Sequence, residues 1–169
     1  VDPGVEEAAA RLGRARRVTV NVDGLHELAG TLGVIRFHGS IWIVRCAASC
    51  GARPDGWEDR TAPLEELPPR CSDCGGLARP GVVWFGEAIP ADALESAWRA
   101  VECDVCVVAG TSSLVMPAAS LVDEARARGA YTVEVNPEAT AASSRVDHAI
   151  AGRAEEVLPE IERLIRARG

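Results

Sequence analysis

"DVCVVAGTSS", residues 104–113, reads as a buried apolar strand that runs into a loop of small residues beginning at Gly110. The stretch after it, near 117–128, has helical character, and Pro117 is tolerated in the first turn of such a helix, where its missing N–H is not needed. "YTVEVNP" (131–137) then reads as a second buried strand. The last helix is the clearest element of the chain. Ala154, Val157, Leu158, Ile161, Leu164 and Ile165 form one stripe, with glutamates early and arginines late, as the helix dipole favours. Strand–helix–strand alternation of this kind predicts a parallel α/β sheet whose ligands bind at the carboxyl ends of the strands.

Towards the amino end the same pattern continues. Leu94, Ala97, Trp98 and Val101 mark one face of a helix from about Pro90, and "GVVWFGE" (81–87) is strand-like. "VTVNVDG" (18–24) predicts a strand ending at Asp23-Gly24, "LHELAG" (25–30) a helical turn, and "VIRFHG" (34–39) another strand. Val5, Ala8, Ala9 and Leu12 recur at helical spacing within 2–16. Residues 40–80 differ in character, with four cysteines, many prolines and no sustained period. The expected division is therefore a main α/β domain made of 1–39 and 81–169, with a small insertion at 40–80.

Composition narrows the function classes. The chain has 169 residues, 47% hydrophobic, with a net charge of −7 and no lysine, all its basic residues being arginine. An acidic chain without a basic run argues against nucleic acid as the main ligand. No apolar run approaches the roughly 20 residues of a membrane span, and no secretory leader is evident. Cysteines in tight pairs, in a chain of this kind, suggest metal binding in a reducing, cytoplasmic compartment rather than a disulfide scaffold.

Cys46-x3-Cys50 and Cys71-x2-Cys74 make a double knuckle, with Gly51, Gly75 and Gly76 placed where each knuckle must turn. Four thiolates at this spacing predict a closed tetrahedral zinc site that holds the insertion together and does no chemistry. Cys103-x2-Cys106 has neither a second pair nor glycines, and reads as small apolar residues at a helix end and inside a buried strand. With the zinc shell complete, His38 is not needed as a ligand. It ends the "VIRFHG" strand on the side where ligands bind; position alone leaves it either a structural residue or a base.

In chain order, "NVDGLHELAG", "FHGS", the two cysteine pairs, "RPGVVWFGE", "GTSSLVMPAA", "EVNPE" and "GRAEEVLPE" resemble the sirtuins, NAD-dependent protein-lysine deacylases, over roughly residues 18–160. Within that family the chain looks most like the class III branch. The resemblance implies a Rossmann-like parallel sheet with a zinc-ribbon insertion. It implies NAD and Zn2+ as cofactors and an acyl-lysine protein or peptide as substrate. His38 would be the general base acting on the nicotinamide ribose. Asn21 and Asp23 would line the nicotinamide and ribose pocket, Gly110, Thr111 and Ser112 would approach NAD, Asn136, Pro137 and Glu138 would sit by the adenosine ribose, and Ala154 by the adenine. Val83, Trp84, Phe85 and Gly86 would face the peptide, added as a strand. The products would be nicotinamide, free lysine and O-acyl-ADP-ribose.

Taken singly, these motifs have plainer readings: 21–24 as a turn, 110–113 as a strand–helix loop, 82–86 as a core strand. Their order favours function. Val20 stands where the family usually carries glutamine. The family's opening strand and glycine-rich loop are not found in these residues, so the chain is expected to correspond to the carboxyl-terminal portion of a sirtuin, with the first strand of the fold missing. Two rival readings are NAD hydrolysis or ADP-ribosyl transfer, and a non-catalytic zinc-ribbon peptide-binding remnant.

Overall fold

The structure is a computed structural model that describes residues 15–167. The helix expected at 2–16 lies outside the described residues but for its last two positions, which are not helical. In chain order the elements are β1 (Val18–Thr19), α1 (Leu25–Leu28), β2 (Ile35–Arg36), β3 (Gly39–Cys46), β4 (Trp57–Glu58), β5 (Ala78–Val82), α2 (Ala91–Ala100), β6 (Val105–Ala109), α3 (Ser120–Ala127), β7 (Tyr131–Asn136), β8 (His148–Ala151) and α4 (Ala154–Arg166). Among the described residues they fall into two compact units, one containing residues 15–18, Leu25–Ile35 and residues 91–167, the other Thr19–Gly24 and Arg36–Pro90.

The first unit carries the expected parallel sheet, in the order β6-β7-β8. Val105 pairs with Tyr131 through to Ala109 with Val135, and Val133–Asn136 pair with His148–Ala151, all in parallel. Val101, Ala125 and Ala130 form its buried core, with Trp98, Cys106 and Leu121 packed against them. A strand buried on both faces would show no alternation. β6 does alternate: Val105 and Val107 are 55% and 48% exposed while Cys106 and Val108 are half-buried. The expectation that this strand is buried throughout is thus corrected for the described residues. The helix expected from 117 begins only at Ser120, whose N–H and hydroxyl both bond to the Pro117 carbonyl, so that the residues before it make a turn.

The second unit is built on an antiparallel sheet, β4-β3-β5. Residues 40–80, expected to lack regular layers, hold most of this sheet. β3 and β5 pair from Gly39↔Val82 to Cys46↔Ala78. Gly39 makes this pairing possible. Its φ is +79°, and a Cβ there would sit 2.1 Å from the Gly81 carbonyl oxygen. A side chain is excluded by both backbone conformation and space.

Two strand expectations are also corrected. The strand predicted at 18–24 stops at Thr19. Beyond it the backbone bonds elsewhere: Val22 accepts from the Ile41 N–H, and Asp23 from the Trp42 indole. His38 does not end a strand; it lies with Phe37 in a turn between β2 and β3, where Gly39 breaks the extended run. Phe37 itself is fully buried and meets the His38 ring edge-on, 5.3 Å between centroids.

Candidate active site and metal centre

The four knuckle cysteines converge. Their Sγ atoms all lie within 4.8 Å of one another, with Cys46···Cys74 at 3.6 Å and Cys50···Cys71 at 3.9 Å. A tetrahedron of about 2.3 Å metal–sulfur bonds has edges of roughly 3.8 Å. The donor set and these edges fit zinc. The knuckles are turned as such a site requires: the Gly75 N–H bonds to the Cys71 carbonyl at 2.8 Å, the Gly76 N–H points to the Cys74 sulfur at 3.4 Å, and Arg53 pairs with Asp73 at 3.0 Å. Among the described residues this is the one such cluster. Cys103 and Cys106 stay outside it. Burial pushes the Cys106 thiol up to about 11, and burial and Asp104 raise that of Cys103.

His38 is half-buried in the second unit. Its Nδ1 faces the Val20 carbonyl oxygen at 3.4 Å. A carbonyl only accepts, so this contact favours the tautomer with the proton on Nδ1 and leaves Nε2 as the proton acceptor. The backbone carbonyl of His38 in turn accepts the Val83 N–H at 3.0 Å. The base candidate and the first residue of the candidate peptide segment are thereby joined. The segment itself, Val83–Gly86, lies past the end of β5 and forms a turn, closed by the Glu87 N–H bonding to the Trp84 carbonyl at 3.0 Å. Trp84 and Phe85 are 51% and 96% exposed.

Asn21 and Asp23 belong to the same unit. The Asn21 N–H bonds to Thr19 Oγ1 at 3.1 Å, and the start of β3 holds Val22 and Asp23 through their carbonyls. Sequence reasoning missed Trp42 as the residue that grips Asp23; its place four residues after His38 carries no local signature of that contact.

The remaining candidates lie in the first unit. Gly110–Ser112 follow β6, Asn136–Glu138 end and follow β7, and Ala154 opens α4 after β8. Because the three strands are parallel and in register, these loops share the sheet's carboxyl edge, the usual ligand side. Asn136 Nδ2 donates to the Thr111 carbonyl at 2.9 Å, and the Gly110 N–H donates to the Val135 carbonyl at 3.1 Å, tying the first loop to the second. The Gly152 N–H bonds to the Asn136 carbonyl at 3.1 Å and brings in the third. Gly110 has a φ of +64° and open space where a side chain would stand, so its backbone can be approached by a phosphate or ribose. An open edge of small residues at the carboxyl ends of parallel strands fits a dinucleotide.

The chain matches the Sir2 family over residues 5–117. It is 47% identical over 150 residues to NAD-dependent protein deacylase 1 of Archaeoglobus fulgidus, covering 88% of this chain and 60% of that protein. It is 45% identical over 159 residues to NAD-dependent protein deacylase 1 of Pseudomonas aeruginosa, covering 92% and 64%. The chain therefore spans less than two thirds of the length of these curated relatives. Among solved structures, a Sir2 homolog–NAD complex superposes with a TM-score of 0.89 at 43% identity, covering 99% of this chain and 65% of the other. Sir2Af2 bound to a myristoylated histone peptide superposes with a TM-score of 0.82 at 33% identity, covering 99% and 74%.

Proposed function

The chain belongs to the Sir2 family, and from that premise we propose that it acts in NAD-dependent removal of acyl groups from protein lysines, with nicotinamide and O-acyl-ADP-ribose as products. One observation carries the reading: His38 faces the Val20 carbonyl with Nδ1 and holds the Val83 N–H with its own carbonyl. A ring with a free Nε2 is thus anchored to the segment assigned to the peptide. Relatives named as NAD-dependent protein deacylases, and neighbours bound to NAD and to an acylated histone peptide, support it.

When bound, NAD would supply the ribosyl carbon from which nicotinamide leaves and the ribose hydroxyl that receives the acyl group. The chain's own residues divide the remaining work. The carboxyl-edge loops at Gly110–Ser112, Asn136–Glu138 and Ala154 bind and orient the dinucleotide through backbone and hydroxyl groups. Asn21 and Asp23 orient its nicotinamide end. The Val83–Gly86 turn after β5 faces the peptide. His38 Nε2 takes a proton from a ribose hydroxyl, and the Val20 carbonyl stabilises the imidazolium that results. The tetrathiolate zinc is structural, since a shell of four cysteines leaves no open position. No helix among the described residues is long and apolar enough to cross a membrane. Cysteines gathered as metal ligands fit a reducing, cytoplasmic setting.

The test is nicotinamide release with NAD and an acetyl-lysine peptide. Release that requires both supports the deacylase. Release without peptide indicates an NAD hydrolase. No release from zinc-loaded protein indicates a non-catalytic binding module.

A further inference from the structure

The Trp84–Gly86 turn is poorly packed, with Phe85 almost fully in solvent, so something other than core burial must hold its shape. Arg79, on β5, supplies it. Its guanidinium grips the Glu87 carboxylate with two bonds, Nη1 to Oε1 at 2.5 Å and Nη2 to Oε2 at 3.0 Å, a fork-to-fork pair. Nη2 also donates to the Val82 carbonyl at 2.7 Å, and the guanidinium lies 3.6 Å from the centre of the Trp84 ring. Glu87 Oε2 meanwhile accepts the Trp84 N–H at 2.9 Å. Every residue from Val82 to Glu87 thus lies on, or between, groups that these two side chains hold, and the turn's other end is pinned by the Val83 N–H on the His38 carbonyl.

We propose that Arg79 and Glu87 form a latch that pre-organises the Val83–Gly86 turn for the acyl-lysine peptide, acting as positioning residues that do not touch the reacting atoms. The inference rests on the deacylase reading of that turn. A peptide docks best on a turn already formed; an unlatched turn must be ordered at the moment of binding, and that ordering weakens affinity. The latch is a charge pair across a span of backbone, so it does not depend on apolar contacts the turn lacks. Arg79, with the Trp84 N–H second, holds the Glu87 carboxyl down at about 2, so the pair stays charged throughout the physiological range.

The experiment compares zinc-loaded wild type with Arg79→Met and Glu87→Gln in the full chain. Three quantities are read: hydrogen exchange at the Trp84 amide, affinity for a fluorescent acetyl-lysine peptide, and zinc content with melting temperature. Arg79→Met is expected to speed exchange at Trp84, to weaken the peptide about tenfold and to leave zinc content and NAD affinity unchanged. Glu87→Gln, which keeps an acceptor for the Trp84 N–H, should fall between it and wild type; it carries the comparison if Arg79→Met does not fold. Unchanged exchange at Trp84, or peptide bound as tightly as by wild type, overturns the latch. A wild-type chain that binds no peptide while its Trp84 amide is protected instead overturns the deacylase reading on which the latch's purpose rests.

Discussion

The Trp42 indole Nε1 donates a 2.6 Å hydrogen bond to the backbone carbonyl of Asp23, nineteen residues earlier in the chain. With the Ile41 N–H on the Val22 carbonyl at 3.0 Å, it fixes a segment that leaves strand geometry at Thr19. Trp42→Phe keeps an aromatic ring, though a smaller one, and removes the donor. We expect a stability loss of about 1 kcal/mol and several-fold weaker NAD binding, with peptide affinity unaltered. Thermal melts and calorimetry measure both; an unchanged NAD affinity would show that the bond does not orient Asp23.

One zinc per chain is expected, lost in Cys71→Ser and kept in Cys103→Ser. Cys46 pairs in register with Ala78 at the end of the β3–β5 ladder, so a chelator should lower the melting temperature of wild type by loosening that sheet. Metal analysis checks it: zinc retained by Cys71→Ser would remove the assignment.

His38→Ala should retain zinc and fold yet lose about 10²–10⁴-fold in deacylation. His26→Ala and His148→Ala, on α1 and β8, should keep most activity. Turnover is measured beside zinc content and melting temperature. Activity lost only together with the metal would make His38 a structural residue.

Asp147 supplies an acid-limb prediction. The Thr132 N–H at 2.9 Å and hydroxyl at 2.8 Å, with Arg126 at 3.1 Å, hold its carboxyl below the ordinary value of 3.8. A depressed folded pKa stabilises above the unfolded value, and that stabilisation is lost as pH falls through the folded one. Asp147→Asn should therefore be less stable than wild type at pH 7, and the gap should narrow below about pH 4. Urea melts across pH 3–7 give the comparison; a constant gap would mean that charge on Asp147 is not what Thr132 and Arg126 recognise.

Much of this was legible locally. Knuckle spacing is a property of neighbouring residues, because each cysteine pair must meet the metal across one tight turn, and Cys46, Cys50, Cys71 and Cys74 converge as read. The stripe of α4 and the apolar run of β7 are likewise periodic within one element. β8 was not legible. Four residues, His-Ala-Ile-Ala, are too short for a period to stand out, and only pairing with β7 makes them a strand.

By itself, the sequence determined donor types and their spacing: the paired cysteines, His38, and the small-residue loops that follow strands. Tertiary structure decided how those residues are presented. β1 stops at Thr19 because Ile41 and Trp42, remote in sequence, claim the next carbonyls. His38 sits in a turn because Gly39 closes against the Gly81 backbone. The apolar run of β6 encodes affinity for burial, but which of its faces is covered among the described residues is decided by packing. Donor types and ligand spacings are written in consecutive residues, whereas hydrogen-bond competition and close backbone approach exist only between segments that folding has brought together.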